Sequence, residues 1–417
     1  MITLSIRWLT LLLIGTDLFV VSPLLPQIAA SSHVGVGTAG WMVSAFSLAY
    51  IAGGPALGSR ADRYGRHRVL AVALAVFAGA NLATGLAPDF PVLLGTRALA
   101  GLAAAGVTPS VYALVGASAP PGRRATWLSV VTSGLLLALA TGAPAGALLS
   151  QVAGWRGVFL TLAAGTLTVL VLNMWAGRDH PPEPTGTHTT PETPRAADLV
   201  TPRRRLGAVS ITAAWGFAVY GPYTYLGAGL HQDAHFGPRL VAVALAIYGV
   251  SAVLGNLLGG PLTDRAGPRA TTTASLLILA AVEAGLGAIV QQRLLLLVGL
   301  AGFALAAYPF FTAQQTRLIN AFPAAVATLL AWNNTALYAG ILAGSAAGGT
   351  ILGAAGFPAL IETAAGISLL AAVLSPRVIA DARSRSRGRH LWSVNPGQLT
   401  LTGPRIRCEG RRRDGSA

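Results

Sequence analysis

Few residues in this sequence can do chemistry, and the most notable of them stand where charge is costly. Asp17 interrupts an apolar run that begins near Leu9. At ~1.5 Å per residue it lies about 12 Å into that run, near mid-depth if the run crosses a bilayer. A carboxylate at such a depth costs ~2.5–3.5 kcal/mol on insertion scales, so acids kept there usually serve an ion or proton path. Such a group can take up a proton from one side and release it to the other. The bland alternative is a polar residue facing water or a neighbouring helix. Arg97 interrupts another apolar run. Counting along the helices puts it roughly 10 Å outward of Asp17, so contact between the two is not required. Snorkelling to the interface is its competing reading.

The elements that must hold these groups follow from composition. Of 417 residues, 53% are hydrophobic and only 10% charged, whereas a soluble domain carries about 25% charged residues. The chain therefore reads as a multi-spanning membrane protein. It contains no lysine, which excludes a phosphate-binding P-loop and a Schiff-base enzyme. Neither His-Glu-x-x-His nor Gly-x-Ser-x-Gly occurs, and there is no Cys/His cluster. The expectation is a non-enzyme without metal or cofactor. A net charge of +15 would suggest nucleic acid in a soluble protein. Here the arginines fall between apolar runs, so membrane topology explains most of them. Cys408 is the only cysteine, so no intramolecular disulfide can form.

Apolar spans are expected at 8–30, 38–59, 69–88, 92–116, 126–150, 156–176, 207–230, 239–262, 270–290, 294–316, 324–353 and 357–376. All should be helices, because lipid cannot satisfy open backbone groups. The first is too long and too weakly charged at its start for a signal peptide. With the N-terminus inside, inner loops hold Arg7, Arg60, Arg63, Arg66, Arg68, Arg123, Arg124, Arg178, Arg195, Arg203 to Arg205, Arg265, Arg269, Arg317 and the C-terminal set. Outer loops hold only Arg156, Arg239 and Arg293. This bias puts both termini in the cytoplasm. The expected domains are a six-helix bundle over 1–176, a flexible cytoplasmic linker over 177–205 and a second bundle over 206–376. An Arg-rich cytoplasmic tail, mostly disordered, follows over 377–417.

A charged turn follows the second span of each half. Asp62-Arg63-Xaa-Gly65 recurs as Asp264-Arg265-Xaa-Gly267. Two apolar halves sharing this turn imply a duplicated bundle. Glycines four apart, at Gly142 and Gly146, Gly255 and Gly259, and Gly340, Gly344 and Gly348, offer small faces for close helix contact.

Four stretches resemble the major facilitator superfamily. The turn after span two is similar to the family's G-x-L-a-D-r-x-G-r-r pattern at Gly58, Asp62, Arg63, Gly65, Arg66 and Arg68, with Arg60 where leucine is usual. Gly15 to Ala29, containing Asp17, Pro23 and Pro26, is similar to the first span of bacterial drug/proton antiporters. Arg97 to Gly101 resembles that group's R-x-x-x-G motif. Gly142, Pro144 and Gly146 resemble the antiporter motif without its full spacing. The resemblance implies an all-α integral membrane fold of twelve transmembrane helices in two pseudo-symmetric six-helix bundles. It places the chain near twelve-span efflux proteins that export chloramphenicol, arabinose and purines.

The function implied is export of small, moderately hydrophobic drugs or metabolites by proton antiport and alternating access, in a bacterial cell membrane, by a monomer. A proton-linked or facilitated transporter of a sugar or other small solute is the alternative. Partners are a small-molecule substrate, protons and lipid, with no nucleic acid. The resemblance assigns proton coupling to Asp17 and Arg97. It assigns a cytoplasmic gate to Gly58, Asp62, Arg63, Gly65, Arg66 and Arg68, with Asp264 and Arg265 as its pseudo-symmetric copy. Pro268 stands there where the first half has an arginine. Glu283 and Glu362 fall on spans that the resemblance puts at the periphery, which favours structural or near-interface roles. Polar and aromatic residues within spans make a candidate cavity: Tyr112, Tyr220, Tyr223, Tyr308, Gln314, Trp332, Asn333 and Asn334. Apolar walls with a few hydrogen-bonding groups suit moderately hydrophobic ligands.

Overall fold

The structure, a computed structural model, describes residues 2–120, 124–177, 202–322 and 326–378. The expected linker and tail lie almost wholly outside these residues. So do the side chains of Asp62 and Arg63, and Gly58 is likewise not described beyond its backbone. The amino half comprises α1 (Ile2–Ser31), the single turn α2 (Val36–Ala39), α3 (Trp41–Tyr64), α4 (Arg66–Gly85), α5 (Phe90–Ser118) and α6 (Arg124–Leu137). A π-helical turn (Ala138–Gly142) then leads into α7 (Ala143–Gly177). The carboxyl half comprises α8 (Pro202–Gln232), α9 (Pro238–Ala266), α10 (Pro268–Ile289), α11 (Arg293–Ala307), α12 (Pro309–Ala321) and α13 (Val326–Val378).

Among the described residues, nine stretches are long and apolar enough to cross a membrane. Two of them, Val130–Ala176 and Leu329–Arg377, run for 47 and 49 residues. Each breaks at a glycine with positive φ, Gly154 and Gly356. Counting each as two spans and adding α8 gives twelve, in two pseudo-symmetric six-helix bundles. Span ten bends between α11 and α12 at Pro309, which has no N–H to continue the ladder.

The halves share one register. The positive-φ residues come in pairs: His33 and His235, Gly65 and Gly267, Gly154 and Gly356, each pair 202 positions apart. All four glycines combine positive φ with extended ψ, a region open essentially to glycine alone. The expected charged loops are nearly absent. The helix α3 continues to Tyr64, and α4 starts at Arg66, leaving only Gly65 between them. Arginine is a good helix former, so these helices run on beyond the apolar layer. At the second copy Pro268 takes the first position of α10, where proline fits without losing a hydrogen bond.

The glycine rows repeat in the same register. Gly134, Ala138, Gly142 and Gly146 turn toward α1, where a Cβ at Gly142 would overlap Thr16 and one at Gly146 would overlap Val20. Gly340, Gly344 and Gly348, each 202 after 138, 142 and 146, turn toward α8. There a Cβ at Gly340 would overlap the Ala213 carbonyl. Buried arginines tie helix ends. Arg7 donates to the Leu114 carbonyl (3.0 Å) and to Ser118 (2.7 Å) at the end of α5. Arg317 donates to the hydroxyl and carbonyl of Ser375 at the end of α13. Cations belong at these negative helix ends.

Replacing Gly154 with alanine forces a side chain into a glycine-only conformation. The expected loss is ~1–3 kcal/mol, read as a lower melting temperature of the purified protein in detergent. Gly366→Ala, where a Cβ meets nothing within 4 Å, should leave that temperature unchanged.

Candidate functional site

Asp17 and Arg97 meet directly. Arg97 Nη1 donates to Asp17 Oδ1 at 2.9 Å and Nη2 donates to Oδ2 at 2.7 Å. The side chains are 0% and 1% exposed. The helix count left about 10 Å between these residues because it ignored the reach of the arginine stem. The guanidinium sits over the rings of Phe46 and Phe159, with centroids 5.2 and 5.3 Å away. The pair is therefore held among spans one, two, four and six of the amino half. Arg97 Nε has no hydrogen-bond partner among the described residues.

The spacing of Arg97 and Gly101 has a local cause. Gly101 is one turn further along α5, and a Cβ there would overlap the Phe46 carbonyl. The missing side chain lets α3 approach backbone to backbone, which brings the Phe46 ring over the guanidinium. Neither Phe46 nor Phe159 stood out in the sequence, because nothing distinguishes a ring over a cation from any core phenylalanine.

The carboxyl does not face the seam between the halves. Phe19 and Ser22, roughly 200° and 140° round α1 from Asp17, make that contact. Phe19 stacks on Tyr220 (6.2 Å, 10°) and meets Tyr223 edge-on (5.7 Å, 84°). Ser22 donates to the Tyr223 carbonyl at 2.5 Å and accepts from the Gly227 N–H at 3.3 Å. These residues line a central gap with Leu18, Val43, Thr224 and Ile341. Its free space is about 10 Å³, the margin for one water molecule, so the gap must widen to admit a ligand.

The seam is closed along the end of the molecule away from the arginine-rich face. Ser44 and Ser345 hydroxyls lie 2.7 Å apart, and Tyr225 donates to the Ser345 carbonyl at 2.5 Å. A Cβ at Gly37 would overlap the backbone of Gly349. Near mid-depth Tyr50 stacks on Tyr338 at 3.7 Å, and Asn334 donates to the Tyr50 hydroxyl at 3.4 Å.

The other candidate cavity residues divide. Tyr220, Tyr223 and Asn334 lie at the seam. Tyr308 is buried in an aromatic cluster against Trp215 and Tyr248. Gln314 donates to the Ala208 carbonyl and Asn333 accepts from Thr212, so both tie α8 to its neighbours. Tyr112 accepts from Thr132 at 3.4 Å. Trp332 is 46% exposed and lies roughly 160° round α13 from Asn334, on the side away from the seam, contrary to expectation. Pro144 is buried between Gly142 and Gly146. Of the gate residues, Arg66 is half-buried and Arg68, Asp264 and Arg265 are exposed. Asp264 and Arg265 make no ion pair among the described side chains. Glu283 is fully buried, so it lies on the inward side of its span, whereas Glu362 is exposed.

Residues 7–236 and 206–398 match the family profile described as Major Facilitator Superfamily. The chain belongs to that superfamily. The uncharacterized MFS-type transporter YtbD of Bacillus subtilis (strain 168) is 31% identical over 376 residues, covering 87% of this chain and 91% of that protein. The chloramphenicol resistance protein of Streptomyces lividans is 31% identical over 268 residues, covering 64% and 67%. A crystal structure of a D-xylose–proton symporter shares the fold at a TM-score of 0.77 and 16% identity, covering 91% of this chain and 97% of that one. A bacterial homolog of the human lysosomal transporter Spinster does so at 0.76 and 18%, covering 94% and 98%. The chain is thus an integral membrane protein and a secondary transporter of small molecules, not an enzyme.

Gly101→Ala should push α3 off α5 and cost ~1–3 kcal/mol, as overpacking typically does. Thermal unfolding in detergent measures it. Gly95→Ala, with open space at its Cβ, should have no effect.

Proposed function

We propose that this transporter exports small, uncharged, moderately hydrophobic compounds in exchange for protons, with Asp17 and Arg97 as the coupling pair. The arginine-rich face then lies in the cytoplasm of a bacterial cell, with both termini on that side. The observation that carries the reading is the two-pronged ion pair sealed inside the amino half. Two opposite charges in an apolar interior are stable together. Removing one partner typically costs 3–5 kcal/mol, because the other is left uncompensated. A proton arriving at Asp17 neutralises one partner. Arg97 must then find new acceptors, and α1, which carries both Asp17 and the seam residues Phe19 and Ser22, must shift. Proton binding is thereby linked to opening or closing of the seam.

The central gap supports an uncharged cargo. Its lining is Leu18, Phe19, Val43 and Ile341, with Ser22, Thr224, Tyr220 and Tyr223 supplying the polar atoms. None of these carries a formal charge at neutral pH, and Asp17 is engaged elsewhere. A sugar would require a denser set of hydrogen-bonding groups than four hydroxyl side chains, three of which already bond within or across helices. Export of a neutral aromatic compound is also in keeping with the chloramphenicol resistance protein among the relatives.

In inverted membrane vesicles, an acidic interior should drive chloramphenicol uptake by this protein. Asp17→Asn should cut the response to the pH gradient by ~10-fold or more, about 1.4 kcal/mol of coupling. Unchanged gradient dependence in that variant refutes the assignment. The same vesicles should favour chloramphenicol over the lipophilic cation tetraphenylphosphonium. Equal uptake of both refutes the neutral-cargo reading.

A further inference from the structure

Glu283 is a buried acid without a counter-charge. It lies on α10 and is 0% exposed. Neither carboxyl oxygen makes a hydrogen bond among the described residues. Ser368 of α13 comes near enough to interact weakly, but its hydroxyl does not reach hydrogen-bond geometry either. The carboxyl borders a void of about 10 Å³ whose other walls are apolar: Pro222 and Leu226 of α8, Leu286 of α10, Leu300 and Phe303 of α11, and Phe357 and Ile361 of α13. Tyr248 of α9, a titratable group, packs edge-on against Phe303 of this wall. On α13, Glu362 lies beside Gly287, one turn from Glu283 toward the end of α10. No cation lines the void. A lone carboxylate in such surroundings is too costly to persist, and the group takes a proton instead.

The wall on α8 links this acid to the seam. Pro222 and Leu226 are one turn apart and face Glu283. Their immediate neighbours, Tyr223 and Gly227, lie about 100° further round the helix and hold Ser22 of α1. One turn of α8 therefore covers the acid on one side and closes the seam on the other. A movement of α8 against α10 as the seam parts would withdraw the cover.

We propose that Glu283 is a second proton-carrying group, in the carboxyl half, kept neutral while the seam is closed and opened to proton exchange when α8 moves. On opening, the carboxyl O–H bond breaks, the proton passes to water, and a carboxylate remains until it is reprotonated. This adds to the coupling role of Asp17 and does not depend on it.

The test needs no substrate. In the full-length protein with Cys408→Ser, Ser44→Cys and Ser345→Cys allow the seam to be locked by oxidation, since the native hydroxyls lie 2.7 Å apart. Infrared spectra should contain a protonated-carboxyl stretch that Glu283→Gln removes and Asp17→Asn leaves in place. Should Glu283→Gln fold poorly, Glu283→Asp should shift the same band. After transfer to heavy water, the band should exchange at least ~10-fold more slowly in the oxidised protein than in the reduced one, a factor equal to about 1.4 kcal/mol. A spectrum in which neither variant alters a protonated-carboxyl band overturns the proposal, as does equal exchange in both states. If Asp17→Asn keeps full proton-gradient dependence while the Glu283 band behaves as described, the coupling assignment fails and this one stands.

Discussion

Inside lipid, burying one apolar helix against another gains little, because the tails are as apolar as the side chains. What remains is contact between backbones, and the structure depends on it. Span five lies on α1 along Gly134, Ala138, Gly142 and Gly146, and α13 lies on α8 along Gly340, Gly344 and Gly348. Gly37 meets Gly349 across the seam, and Gly249 meets the π-helical turn at Ala140. Smooth surfaces pack tightly but interlock little. The same rows that stabilise each half leave its helices able to slide, which a transporter requires.

Against that apolar frame the two buried acids are handled in opposite ways. Asp17 is given a guanidinium with two matched donors and two aromatic rings against it. Glu283 is given leucine, isoleucine, phenylalanine and proline. The first arrangement stores a charge pair whose disruption is costly. The second favours the neutral acid and keeps water out. Both are reached from the seam through a single helix, α1 for Asp17 and α8 for Glu283.

Much of the architecture was legible from composition and the length of the apolar runs, because hydrocarbon thickness leaves a strong mark on a sequence. Asp17 and Arg97 could be picked out singly, but their contact could not, since helix counting omits side-chain reach. Gly142 and Gly146 were visible as a spacing, whereas their partners Thr16 and Val20 were not. Trp332 misled because an aromatic in a span reads the same on either side of the helix. Glu283 and Glu362 read alike for a related reason: a span at the edge of the bundle still has an inward side. Phe19, Ser22, Ser44 and Ser345 were missed, being ordinary types whose importance comes only from what lies opposite.

The shared register makes each half a substitution series for the other. Between positions 33 and 154 and their counterparts 235 and 356 the marker residues keep one offset, so no net insertion or deletion separates them. Yet the chemistry has parted company. The counterpart of Arg97 is Gly299, where Leu286 fills the space an arginine would need. The counterpart of Glu283 is Asn81, whose amide donates to its own helix at Phe77. Within the repeat one half holds a fixed ion pair and the other a solitary acid. The ionisable positions therefore differ between the halves while the scaffold keeps one register, and a paired acid and a solitary one share one frame.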